Sequence, residues 1–529
     1  MNKKNVSNET QVVADIIRFH ADNNPQKPAI VSECITLNYE ALHQQSSQLA
    51  NALIARGVKP HSRVAYLGKE SEKYYVLLFA CAKANLVLVP INWRLKINEI
   101  SYILADSHSE ALFVDIEFSK MVDTFAKNIV SLNVYVFLQE CSTQQDYSQC
   151  IHLSPMDDPL LTVDKEDTLA QIYTSGTTGL PKGVELAHKS FFQIRAALMQ
   201  NNLDWIDWRE EDVSLIGIPG FHIGGLWWAL QGFSAGLTNV SLPMFHATLA
   251  IDLIKKHKVT IACVVPAMIN MILKEKESID GNFTQLRKIV YGGSPISEAL
   301  LQQAIEVLQC EFAQIYGLTE TGNTAICLPP NDHIVGSKRL RAAGKPYPGV
   351  KIKIVNAEGQ VLSVNQVGEI YLYTPARMKK YWNLPSETNT TLVNGWIRTG
   401  DAGYVDEEGY LFVCDRIKDM IIVAGEKIYP TEVENELAKH PAINDVAVIG
   451  VPHDEWGELV QAFVVLNATE KLTVRDLMLF LKSRIADYKI PAKFVFVDKI
   501  PRNPSGKILR RELRESEANA QKSRLETCS

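Results

Sequence analysis

The apolar positions along the chain change period several times, and each change marks an element. Between residues 38 and 56, Leu42, Leu49 and Leu53 fall on one helical face, and Gly57 supplies the stop. The apolar run 63–67 predicts a buried strand, 72–83 a helix, 86–89 a strand and 97–105 a helix, with further strands at 111–114 and 134–138. Short apolar strands between helices predict a largely parallel sheet covered on both faces. A polar stretch, 140–167, reads as a long connection. The run 169–173 is then a strand and 188–199 a helix. The alternation resumes with strands at 213–218, 260–265 and 288–291 and helices at 249–256, 267–274 and 298–308. Two stretches with this rhythm predict two related sheet layers, although no clear repeat is visible.

Around Gly344 the character changes. Strands at 350–355, 368–372 and 410–413 stand among Gly, Asn and Asp turns, with Glu407-Glu408-Gly409 as a hairpin tip. This predicts a small barrel-like β unit. Past Arg416 a fresh alternation begins: helix 431–439, strands 444–451 and 459–466, helix 474–485 and strand 493–497. The tail, 510–529, is charged and polar and reads as frayed helix followed by disorder. The predicted fold class is α/β. A large N-terminal domain, residues 1–417, holds the two sheet layers and the β unit, and a small α/β domain, residues 418–529, follows it.

Composition narrows the class of protein. A chain of 529 residues exceeds one ordinary core. Apolar residues at 46% and charged residues at 22% suit a soluble globular protein. With 54 basic against 60 acidic side chains the net charge is −6, which offers no nucleic-acid surface. The nine cysteines form no C-x-x-C pair and no metal-ligand spacing, so reduced structural thiols in a cytoplasmic protein are expected. No apolar run approaches the length of a membrane span, and the basic start Met1-Asn2-Lys3-Lys4 has no apolar region behind it. Peripheral membrane contact and oligomeric state stay open.

Five stretches carry candidate chemistry. Thr174-Ser175-Gly176-Thr177-Thr178-Gly179, followed by Lys182, combines hydroxyl donors, glycines that let backbone N–H groups approach a ligand, and one cation. That suits a polyphosphate. It is not a Walker loop, because Pro181 and Gly183 flank the lysine, and a plain turn between strand and helix uses the same letters. Gly292-Gly293-Ser294 ends a strand as a backbone passing close to a flat ligand would, and equally as an ordinary turn would. In Tyr316-Gly317-Leu318-Thr319-Glu320-Thr321 the ring can stack on a base, Thr319 can donate to a phosphate and Glu320 can hold Mg²⁺ through oxygen. A strand end capped by Thr reads the same. Asp401, in Thr399-Gly400-Asp401, suits paired ribose hydroxyls or turn chemistry. Lys507, in Pro504-Ser505-Gly506-Lys507, stands on a Pro/Gly loop where most lysines are simply solvated.

Together, and in this order from Thr174 to Lys507, these motifs resemble the adenylate-forming superfamily of acyl-CoA synthetases, adenylation domains and luciferases. The likeness covers nearly the whole chain. Gly395-Trp396-Ile397-Arg398-Thr399-Gly400-Asp401 and Asp415-Arg416-Ile417-Lys418-Asp419 are most similar to bacterial fatty-acyl-CoA ligases. The resemblance implies that a carboxylic acid, medium- or long-chain fatty acid foremost, attacks the α-phosphate of ATP, that pyrophosphate leaves, and that the thiol of coenzyme A displaces AMP. Aryl or small acids, and loading of a carrier protein, are the alternatives. Carrier-loading relatives commonly have an insertion after the β unit, for which the chain shows no obvious room.

The resemblance also implies roles residue by residue. Thr174–Gly179 and Lys182 would close over the β- and γ-phosphates. Gly292, Gly293, Ser294, Tyr316 and Gly317 would flank the adenine. Thr319 would touch the α-phosphate, Glu320 would bind Mg²⁺, and Asp401 with Arg416 would take the ribose. Lys507 would bridge the acyl carboxylate and the phosphate from the small domain. Lys418 would be the hinge, and Ala424-Gly425-Glu426 the coenzyme A channel, where relatives commonly have glycine in place of Ala424. His222, in Pro219-Gly220-Phe221-His222, would border the acyl pocket as a wall and not as a base.

Overall fold

The computed structural model describes residues 12–33, 35–139, 146–174, 180–275, 283–453, 455–467, 470, 472–502 and 508–527. Among them a seven-stranded sheet runs in the order Lys380–Tyr381, Lys182–Ala187, Thr168–Thr174, Val87–Pro90, Arg63–Leu67, Ser109–Val114, Val134–Phe137. Its last five strands are parallel and its first two antiparallel. A nine-stranded sheet runs Lys345–Pro346, Ile326–Leu328, Glu311–Tyr316, Lys288–Gly292, Ile261–Val264, Val213–Ile216, Thr238–Ser241, Pro28–Ser32, Ile35–Asn38. Here the six strands from Glu311–Tyr316 to Pro28–Ser32 are parallel.

Helix Glu72–Lys83 lies between the layers, touching Val87–Pro90 of the first sheet and Pro28–Ser32 of the second. Residues 74–83 are all buried, as a helix covered all round requires. Helix Ile223–Ser234 meets it through Phe233, whose ring centroid is 5.4 Å from that of Tyr75 and 5.3 Å from that of Phe79. Trp227 and Trp228 are fully buried core residues.

Three expectations change. The predicted strand-to-helix passage around Lys182 is a strand-to-strand passage: Lys182–Ala187 returns antiparallel along Thr168–Thr174, and a short 3-10 turn precedes the helix Gln193–Gln200. Glu185 hides that strand in the sequence. It is a buried charge in the apolar run, answered by Arg63 at 2.7 Å. The two layers are also not separate stretches of chain, because the early strand Pro28–Ser32 belongs to the later sheet. Finally, Arg510–Thr527 is one helix, and its first turns dock: Leu513 is buried, and Arg510 Nη2 donates to both carboxylate oxygens of Glu434, at 2.7 and 2.8 Å.

The β unit is a five-stranded antiparallel sheet of Lys351–Val355, Gly368–Tyr373, Trp396–Val405, Leu392–Val393 and Leu411–Arg416. The smaller C-terminal domain pairs Glu426–Ile428, Ile421–Val423, Gly457–Leu466 and Ile443–His453, with Lys493–Phe496 parallel to Gly457–Leu466. Val433, Leu437, Leu477 and Leu481 from two helices pack on one face, and Leu513 packs on the other. Few side chains tie this domain to the rest. Asp415 Oδ2 accepts from Thr431 N at 2.9 Å and Thr431 Oγ1 at 2.7 Å and stands 4.0 Å from Arg510, while Lys274 Nζ donates to Asn444 at 3.1 Å.

Candidate active site

Parallel sheets gather ligand-facing loops at the carboxyl ends of their strands. Lys288–Gly292 and Glu311–Tyr316 are neighbours in parallel register, with Gly292 opposite Ile315. Gly292–Ser294 and Tyr316–Thr319 therefore leave the same sheet edge side by side. A Cβ on Gly292 would lie 2.3 Å from the Ile315 carbonyl oxygen, so glycine is required there.

After Tyr316 the chain turns through Gly317 into the 3-10 turn Thr319–Thr321. Thr321 Oγ1 accepts from Leu318 N at 2.8 Å and donates to Leu318 O at 2.9 Å, closing the turn. Glu320 is fixed twice. Its carbonyl accepts from Met378 N at 2.8 Å, and its carboxylate accepts from the Tyr381 hydroxyl at 2.6 Å. Tyr381 belongs to the edge strand of the other sheet, where it opposes Val184. Lys182 Nζ stands 5.3 Å over its ring, and Lys182 pairs across the strands with Thr174. Tyr381 thus brings the carboxylate of one layer to the lysine of the other. Trp382 holds this segment down, its N–H donating to Gly183 O and its indole to Asp106 O, both at 2.7 Å.

Asp401 and Arg416 face each other across adjacent strands. Arg416 Nε meets Asp401 Oδ1 at 2.7 Å, and the Tyr316 hydroxyl donates to Oδ2, also at 2.7 Å. Thr399 Oγ1 accepts from Asp401 N at 3.1 Å. Burial, and then the Asp401 charge, hold the Tyr316 phenol far above its ordinary range, so it stays a donor. The carboxylate of Asp401 is buried and held from two sides.

His222 follows the strand Val213–Ile216 at the same edge and precedes helix Ile223–Ser234. Its Nε2 is sealed from solvent and has no hydrogen-bond partner among the described residues, as is true of Nδ2 of Asn323. The two turns adjoin, since a Cβ on Gly224 would lie 3.6 Å from Asn323 Oδ1. Burial first, and Arg94 second, lower the imidazole to about 4. It is a neutral ring at neutral pH.

In the C-terminal domain Ala424 and Gly425 form a two-residue turn between Ile421–Val423 and Glu426–Ile428, with Val423 opposite Glu426. Both adopt left-handed φ, +48° and +87°, the geometry that favours glycine in such turns. Lys418 sits in the 3-10 turn Ile417–Asp419 that leads from the β unit into this domain. Ser175–Gly179 and Lys507 lie outside the described residues.

Sequence reasoning missed Tyr381 and Asn323. Tyr381 stands in Lys379-Lys380-Tyr381-Trp382, an aromatic run among cations that could have signalled it.

The AMP-binding enzyme model matches residues 17–382, and the model of the AMP-binding enzyme C-terminal domain matches residues 432–507. The chain belongs to the AMP-binding enzyme family. This AMP-binding enzyme is 54% identical over 511 residues, 96% of either chain, to the fatty acid–[acyl-carrier-protein] ligase ScoC of Streptomyces coeruleorubidus. It is 32% identical to the long-chain-fatty-acid–CoA ligase FadD13 of Mycobacterium tuberculosis, over 94% of this chain and 97% of that one. Among solved structures it resembles the anthranilate CoA ligase AuaEII in complex with anthranoyl-AMP, with TM-score 0.88, 25% identity and 96% and 98% of the two chains covered. It also resembles the o-succinylbenzoate CoA synthetase MenE of Bacillus subtilis in complex with ATP and magnesium, with TM-score 0.82, 31% identity and 94% and 98% covered. The AMP-binding enzyme is an adenylate-forming acyl ligase of α/β fold, and none of its described helices is long and apolar enough to cross a membrane.

Proposed function

We propose that this enzyme activates a medium- or long-chain fatty acid as its acyl-adenylate and delivers the acyl group to the phosphopantetheine thiol of an acyl carrier protein. The observation carrying the adenylation reading is the meeting of Glu320, Tyr381 and Lys182 beside the hydrogen-bonded Tyr316–Asp401–Arg416 group. Asp401 takes the ribose hydroxyls, with Arg416 and Tyr316 holding it in aim. Gly292, Gly293, Ser294 and Gly317 give the adenine close backbone walls, and Thr319 donates to the α-phosphate. Lys182, with Thr174 and the loop 175–179, grips the leaving pyrophosphate.

No cluster of three metal-ligating side chains occurs among the described residues. Magnesium is normally held by one or two carboxylates together with substrate phosphates, and Glu320 next to Lys182 fits that arrangement. When bound, the ion neutralises charge on the phosphates. Lys507, from the C-terminal domain, stabilises the charge that builds on the in-line oxygens. Lys418 is the hinge that exchanges Lys507 for the Ala424–Glu426 turn, beside which the thiol enters.

The motif likeness alone points to coenzyme A. The 54% identity to ScoC, against 32% to FadD13, supports the carrier protein instead. The test is acid-dependent pyrophosphate exchange with a panel of acids, followed by discharge onto coenzyme A or onto a phosphopantetheinylated carrier. Discharge onto the carrier is expected to be at least about tenfold faster. Equal or faster discharge onto coenzyme A overturns the acceptor, and absence of exchange with every fatty acid overturns the substrate class. Lys507→Ala is expected to slow exchange by roughly 10²–10³-fold, as for loss of one preorganised charge contact.

A further inference from the structure

The turn that carries His222 is held through a single residue, Gly220, by the two peptide groups that flank it. Gly220 N–H donates to Glu70 Oε2 at 2.9 Å, and its carbonyl accepts from the Tyr74 hydroxyl at 2.8 Å. Glu70 Oε1 accepts from the Tyr75 hydroxyl at 2.5 Å. All three anchors lead into or lie on helix Glu72–Lys83, packed under the first sheet, whereas Gly220 follows a strand of the second. A Cβ at position 220 would lie 2.5 Å from the Tyr74 ring, so only glycine lets that ring close over the peptide.

Glu70 is an expensive way to fill this space. It is 7% exposed and has no ion-pair partner among the described residues. Burial outweighs the lowering pull of the Tyr75 and Gly220 donors and leaves its carboxyl raised to about 7. Burying such a group is unfavourable unless its hydrogen bonds are needed. What it holds is specific. His222 N donates to Pro219 O at 3.0 Å, and the His222 carbonyl accepts from Gly225 N at 3.0 Å and Leu226 N at 3.2 Å. The anchored peptide therefore sets both the ring of His222 and the start of helix Ile223–Ser234.

We infer that Glu70 is a positioning residue for acid recognition, acting through the Gly220 peptide to hold His222 as a wall of the acyl pocket and so shaping which carboxylic acids are accepted. This rests on the reading of His222 as that wall. The experiment compares Glu70→Gln, Tyr74→Phe and His222→Ala in the full chain, measuring KM for a fatty-acid series and for ATP in pyrophosphate exchange. Glu70→Gln is expected to raise KM for the preferred acid about tenfold, the equivalent of one hydrogen bond to a charged group, to shift the chain-length preference and to leave KM for ATP within about twofold. Adding it to His222→Ala should raise KM for the acid little further. Tyr74→Phe, which keeps the ring, should act in the same direction, and it answers the question if Glu70→Gln fails to fold. KM for the acid unmoved by Glu70→Gln, or by Tyr74→Phe in its place, but raised by His222→Ala overturns the anchor and leaves the wall standing. Indifference to both changes overturns both. Equal rises in both KM values mark a merely structural role and overturn the inference.

Discussion

The Tyr381 hydroxyl donates to the Glu320 carboxylate at 2.6 Å while the Tyr381 ring lies 5.3 Å beneath Lys182 Nζ. One side chain thus orients a carboxylate and a cation that come from different sheets, the hydrogen-bonded partners standing 61 positions apart in the chain. Tyr381→Phe keeps the ring under the lysine and removes only the bond to Glu320. It should raise KM for ATP about five- to tenfold, most strongly at low magnesium, with the thermal midpoint nearly unchanged. A magnesium titration of pyrophosphate exchange reads this out, and an unaltered magnesium dependence refutes the orienting role.

Asp401 answers two groups at once. Asp401→Ala leaves the Arg416 guanidinium without its carboxylate and the Tyr316 phenol without an acceptor. The variant should lose about 3 kcal/mol of stability, as when one partner of a buried pair is removed, and roughly 10²-fold in ATP affinity. Tyr316→Phe should cost the parent measurably and the Asp401→Ala variant almost nothing, which a double-mutant cycle in denaturant reports.

Ala424 sits at φ +48°, where its methyl group is strained and glycine is not. Ala424→Gly should stabilise the C-terminal domain by about 0.5–1 kcal/mol. It should leave adenylation untouched and raise the rate of acyl discharge onto thiol, coenzyme A above all. Single-turnover experiments separate the two steps; a change in adenylation would mean that this turn takes part in the wrong half-reaction.

Lys83 is fully buried, donating to His43 O and Ser47 Oγ, both at 2.7 Å, with Asp158 at 3.9 Å. Burial lowers it from 10.5 to about 7, against the opposing pull of Asp158. Between those values the folded chain binds fewer protons than the unfolded chain at this site. Its contribution therefore rises with pH from about 7 upward and is absent below. Lys83→Met should flatten the dependence of the thermal midpoint on pH between about 7 and 8.5, and a parallel curve for the two proteins would refute the assignment.

Motifs whose parts are neighbours in sequence were legible from letters alone. Tyr316 to Thr321, and Thr399 to Asp401, stand out in the sequence because their backbone and side chains bond one another within a few residues. Elements that owe their form to distant partners were not. The strand Lys182–Ala187 is disguised by Glu185, whose burial makes sense only with Arg63 beside it. Docking of the last helix depends on one leucine and on polar pairs with distant partners, Arg510 with Glu434, Arg514 with Asp419 and Glu517 with Gln461, too few apolar positions to set a period. Glu70 and Gly220 stand 150 residues apart and share no motif.

Asp415 precedes the proposed hinge at Lys418, and Thr431 and Arg510 follow it. The 2.9 and 2.7 Å bonds to Thr431, the contact with Arg510 and the distant Lys274–Asn444 bond all span that point. Rotation of the small domain about Lys418 must break this set before it can form another. Under that proposal the described orientation is held by contacts gathered largely on Asp415, and none of the residues in this set is among those proposed to meet the substrate.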